Sequence, residues 1–100
     1  MYVVKITNGR AELYNERGCY QRTILSSDVL FADIDMTQTR IVITTTKGKV
    51  ELYNENGCYQ RTIVSSNATQ ARWTGNDIAV TFNNGTVEFY NDRGCFQRRI

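Results

Sequence analysis

The stretch "ELYNENGCYQRTI", Glu51–Ile63, decides the fold. It returns as "ELYNERGCYQRTI" at Glu12–Ile24 and as "EFYNDRGCFQRRI" at Glu88–Ile100. Apolar and polar residues alternate on both sides of a short polar segment ending in glycine, the pattern of two strands joined by a tight turn. The segments "ENG", "ERG" and "DRG" suit three-residue loops with Gly57, Gly18 and Gly94 in the left-handed conformation.

If Asn54 opposes Cys58 across that loop, Tyr53 opposes Tyr59 and Glu51 opposes Arg61. An aromatic pair then lies beside an ion pair on one face, each worth roughly 0.2–1 kcal/mol. The other copies give Tyr14 with Tyr20 and Glu12 with Arg22, then Tyr90 with Phe96 and Glu88 with Arg98. The repeat extends beyond the hairpin. Gly9, Gly48 and Gly85 are 39 and 37 residues apart, and 15 of 19 positions are identical between residues 9–27 and 48–66. In the middle unit the strand-like pieces are "VLFADID", "RIVITTT", "KVELYN" and "CYQRTI". Lys47-Gly48 joins the second piece to the third; the equivalent two-residue turns are Asn8-Gly9 and Asn84-Gly85, and Asn-Gly signals a type I′ hairpin.

Four antiparallel strands in a unit of about 40 residues resemble a blade of the β-propeller superfamily. The pattern is Gly-x-Val-x-Leu-Tyr-Asn-x-x-Gly-x-x-x-Arg-x-Ile, without the Gly-His or Trp-Asp pairs of the WD40 type. The resemblance covers nearly the whole chain. It implies an all-β chain of blade 1 (1–25, lacking its innermost strand), blade 2 (26–64) and blade 3 (65–100). That makes eleven strands, about two and three-quarter blades. Closed propellers carry about four to eight blades, so the resemblance implies a ring completed by oligomerisation, most simply a six-bladed homodimer.

Composition excludes several chemistries. The chain has no His, so Ser-His-Asp triads, Cys-His pairs and His-bearing metal sites are ruled out. A net charge of +2 without a basic run argues against nucleic acid. No apolar run approaches a membrane span, and the N-terminus "MYVVKITNGR" lacks the features of a secretory signal. The expected location is cytoplasmic. The odd count of three cysteines suits a reducing compartment. Their equivalent positions, Cys19, Cys58 and Cys95, suggest small buried residues packed where blades stack.

Function is sought where the units differ. "SSDVLFADIDMTQTR" stands against "SSNATQARWTGND", so Asp33 aligns with Arg72 and Ile34 with Trp73. Asp33, Asp35, Arg72 and Trp73 are the candidate ligand-binding residues, on strands that would line a channel. "DIDMTQT" lacks the turn glycine and distal Glu of a calcium loop, and no metal or cofactor is expected. Trp73 reads as core filler or as a stacking platform. No catalytic constellation is present. The expected function is a non-enzymatic binding or scaffold module, with a lectin-like site repeated between blades as the alternative. The expected partners are identical copies and a protein or carbohydrate ligand, with neither nucleic acid nor membrane.

Overall fold

A computed structural model describes residues 1–100. It contains eleven strands and no helix, hence no helix long and apolar enough to cross a membrane. The strands are β1 (Tyr2–Thr7), β2 (Arg10–Asn15), β3 (Tyr20–Leu25), β4 (Val29–Ile34), β5 (Arg40–Thr45), β6 (Val50–Asn54), β7 (Tyr59–Val64), β8 (Ala68–Thr74), β9 (Asp77–Phe82), β10 (Val87–Tyr90) and β11 (Phe96–Arg99). They form three antiparallel sheets in sequence order: β1-β2-β3, β4-β5-β6-β7 and β8-β9-β10-β11.

The repeated hairpin is locked by its asparagine. Asn54 Oδ1 accepts the amides of Asn56 and Cys58, while the Asn54 amide donates to the Cys58 carbonyl. Gly57 takes φ +83° and donates to the Asn54 carbonyl. Asn15 and Asn91 close their turns with the same bonds. The turns nearer each unit's start are less uniform. Only Asn8-Gly9 has positive φ at both residues, as a type I′ turn requires. The turns before Lys49 and Thr86 close from Thr45 to Lys49 and from Phe82 to Thr86, and only Gly48 and Gly85 are left-handed there. These are three-residue loops, a correction to the expected two-residue ones. In the register of the sheets, Val4 of β1 stands where β5 has Val42, opposite Leu13 and Leu52 respectively.

The register corrects a second expectation. Tyr53 does oppose Tyr59, but Leu52 opposes Arg61 and Glu51 opposes Thr62. A β-bulge leaves Gln60 unpaired between Tyr59 and Arg61, and its side chain folds back to donate to the Cys58 carbonyl. Gln21 and Gln97 do the same. Each arginine is thereby turned to the other face from its expected glutamate. The pairs Glu12–Arg22, Glu51–Arg61 and Glu88–Arg98 are not formed.

The middle sheet is apolar on both faces and covered on both. Ile41, Ile43 and Tyr53 pack with Ala11, Leu13, Ile24 and Val29 in one core shared with the first sheet. Val42, Val50, Leu52 and Ile63 pack with Ala68, Ala71, Ile78 and Val80 in the other, shared with the third. Strand β4 packs against both β1 and β8, so the first strands of the three sheets lie together. Cys19, Cys58 and Cys95 are free and exposed, which overturns the expected packing role. The turn explains it: each cysteine closes the loop through its backbone, at the outward corner of the hairpin.

Tyr53 is 7% exposed, with its ring edge-on to Tyr59 at 5.8 Å. Replacing it with Ala should cost about 3–5 kcal/mol, read from urea unfolding. An unchanged midpoint would show that the core between the first and middle sheets does not hold the fold.

Candidate functional site

The residues that depart from the repeat converge at the junction of the middle and third sheets. Asp35 follows β4 and is 1% exposed. Its Oδ1 accepts the amides of Thr39 and Arg40, each at 3.1 Å. Its Oδ2 accepts the Thr37 hydroxyl and Arg40 Nε, each at 2.7 Å. Four donors saturate this carboxylate. Burial alone would raise its pKa, but the bonds from Thr37 and Arg40 outweigh that and hold it below the ordinary value.

Arg40 carries the connection onward. Its Nη1 donates to Asp92 in the third sheet's turn at 2.7 Å, and Nη2 reaches Asn76 Oδ1 at 3.4 Å. Its guanidinium lies 4.6 Å from the centroid of Trp73. Trp73 is half-buried against the inter-sheet core, and its indole Nε1 is buried without a hydrogen-bond partner. Asp33 Oδ2 accepts the Trp73 amide at 2.9 Å, a further tie between the two sheets, from β4 to β8.

Of the four candidates, three are brought together: Asp33, Asp35 and Trp73. Asp35 does not project into an open channel; its own turn encloses it. Arg72 lies on the same rung as Asp33, opposite Ala79 as Asp33 is opposite Val42. It is exposed, with no side-chain hydrogen bond or ion pair. No group of acidic or cysteine side chains is arranged to hold a metal. Sequence reasoning missed Arg40 and Asp92. Asp92 carried a signal, since "NDRG" has Asp where "NERG" and "NENG" have Glu; that Arg40 stands where the other units have Tyr2 and Asp77 is visible only in the strand register.

The repeated glutamates serve their tyrosines instead. The hydroxyls of Tyr14, Tyr53 and Tyr90 donate to Glu12, Glu51 and Glu88 at 3.0, 2.9 and 2.6 Å. Burial and then Glu88 push the Tyr90 hydroxyl up to about 12. The repeated arginines reach the next sheet: Arg22 Nη1 donates to Asn56 Oδ1 at 3.2 Å, and Arg61 Nη1 to the Asp92 carbonyl at 2.8 Å. Arg98, with no next sheet, lies over its own Phe89 at 4.5 Å.

A second surface feature is repeated. Tyr20, Tyr59 and Phe96 are each more than half exposed, beside exposed Gln21, Gln60 and Gln97. The sequence register had assigned the aromatics wholly to cross-strand pairing.

Residues 1–63 match the family model described as the Helicobacter pylori IceA2 protein, and the chain belongs to that family. The match spans the first sheet and the middle sheet up to Ile63; its description names no activity. No curated protein matches the chain.

A depressed folded-state pKa contributes stability above the unfolded value of about 3.9, lost as pH falls through the folded one. Asp35→Asn breaks a buried pair and should cost about 3 kcal/mol at pH 7. The gap from the unmutated chain should narrow at pH 3, below the ordinary carboxylate value, where the unfolded chain takes up the proton and the ionised form favours folding less. Urea unfolding at the two pH values measures this, and a constant gap would refute it.

Proposed function

We propose that the chain is a non-enzymatic binding or scaffold module of the β-propeller type. Identical copies complete its ring, most simply as six sheets in a twofold dimer. The observation that carries the reading is the stacking of three antiparallel sheets through alternate faces, with their first strands gathered together. Such a stack leaves one face of the first sheet and one of the third uncovered. The saturation of Asp35 and the tie from Asp33 to the Trp73 amide favour recognition over acid–base chemistry. Arg72, exposed and unpaired beside that cluster, is open to a ligand. Three exposed free thiols suit a reducing, cytoplasmic location.

A lectin-like reading has one observation in its favour. The exposed aromatic and amide side chains at residues 20–21, 59–60 and 96–97 recur once per sheet, as stacking sites for a sugar would. A glycan array with measured stoichiometry separates the two: about three sugars per chain supports the lectin, and no glycan binding removes it.

The ring is tested by light scattering. The expected mass is about 23 kDa, twice the 11.5 kDa of one chain. A stable species of 11.5 kDa would refute ring closure by a second copy.

A further inference from the structure

One contact is made twice inside the chain and left unmade at both ends. The Gly57 turn lies on β3: a Cβ at Gly57 would stand 3.6 Å from the Thr23 carbonyl oxygen and 3.8 Å from Ile24 Cδ1. Arg22 reaches up from the same strand to Asn56. The Gly94 turn lies on β7 in the same way, 3.5 Å from Ile63 Cδ1, with Arg61 holding the Asp92 carbonyl. Each junction is therefore a plug, an arginine and an isoleucine two residues apart on an outer strand, seated against the turn of the following sheet.

The first sheet has this turn without a plug. Nothing lies within 4 Å of a Cβ at Gly18, and a groove of about 310 Å³ opens beside it. Val3, Lys5, Tyr14, Asn15, Glu16 and Gly18 line the groove. By register, Val3, Lys5 and Tyr14 stand where Ile41, Ile43 and Tyr53 stand in the middle sheet. The third sheet has the plug without a turn. Ile100 is 76% exposed, whereas Ile24 and Ile63 are 6% and 9% exposed. Behind it, Ala79, Val87 and Phe89 take the places of Val42, Val50 and Leu52, the face that the middle sheet buries. The charges also match. Arg98 is exposed on the plug side, and Glu16 on the groove side is held only by the exposed N-terminal amine.

We infer that Arg98 and Ile100 of one copy seat against the Gly18 turn of a second copy, with the face around Phe89 laid on the face around Tyr14. The contact is head-to-tail, and two of them close a twofold ring of six sheets. The inference rests on the ring reading and adds which faces meet, and by which residues.

Val3→Asp damages only the groove face and Ile100→Asp only the plug face, both at positions more than half exposed. Each variant alone carries the damage into both junctions of its own dimer, and should fall from about 23 kDa to the 11.5 kDa monomer while keeping its β-sheet circular dichroism. Mixed together, the variants retain one junction with both faces intact, so the average mass should rise again. Arg98→Glu should also weaken the dimer, and adding Glu16→Arg should restore it. An unmutated chain that is monomeric overturns both the ring and this contact. An unmutated dimer that persists in either aspartate variant, or a mixture that stays monomeric, overturns the head-to-tail contact alone.

Discussion

A sheet with two apolar faces must be covered twice, and this chain is built from sheets of that kind. The middle sheet alone meets the condition within the chain, with Ile41, Ile43 and Tyr53 on one side and Val42, Val50 and Leu52 on the other. The first and third sheets are its neighbours, and each spends one face on covering it. Much else follows from that arrangement. The repeat is near-identical because each sheet must present one face that fits the sheet before it and one that fits the sheet after it.

The β-bulge makes the two faces different. Were Gln60 paired with Leu52 in a regular ladder, Arg61 would stand on the face of Glu51 and Tyr53, which meets the first sheet. With Gln60 bulged out of the ladder, Arg61 shares the face of Leu52, which meets the third sheet, and reaches the Asp92 carbonyl. Glu51 keeps to the Tyr53 hydroxyl, within its own strand. One inserted residue thus separates a contact that braces a sheet from a contact that joins two. A Gln two residues after Cys in all three copies, bonded back to its carbonyl, keeps that separation in every sheet.

Much of this was legible in the residues. Eleven strands, their grouping and the Asn-to-Gly hairpin loop follow from alternation and turn chemistry, which are local. The register beyond the loop was not legible, because a bulge leaves the residue types unchanged while shifting every partner past it. Cysteine burial misled for a related reason: the average habit of a residue type says little when the backbone of Cys58 is fixed at a loop corner. At the candidate site, Asp33, Asp35 and Trp73 were found as departures from the repeat. Arg40 to Asp92 spans 52 positions, and no local pattern predicts such a pair. Only the departure at Asp92 marked it.

The turns at Gly9, Gly48 and Gly85 sharpen the contrast between the junctions within the chain and the proposed one between copies. The carbonyls of Gly9 and Gly48 accept the amides of Val29 and Ala68, the first residues of the following sheets. A Cβ at Gly48 would stand 2.6 Å from the Asn67 amide nitrogen, so that approach tolerates only glycine. Gly85 has open space in its place, and the first sheet has no strand matching β4 or β8 to offer it. The proposed junction between copies therefore lacks that tie and falls to the hairpins, where Arg98, Ile100 and the Gly18 turn lie. The end faces are also less apolar than the buried ones, with Lys5 in the place of Ile43 and Ala79 in the place of Val42. Both features weaken that junction relative to the two inside the chain, so copies should part before the sheets of one copy do.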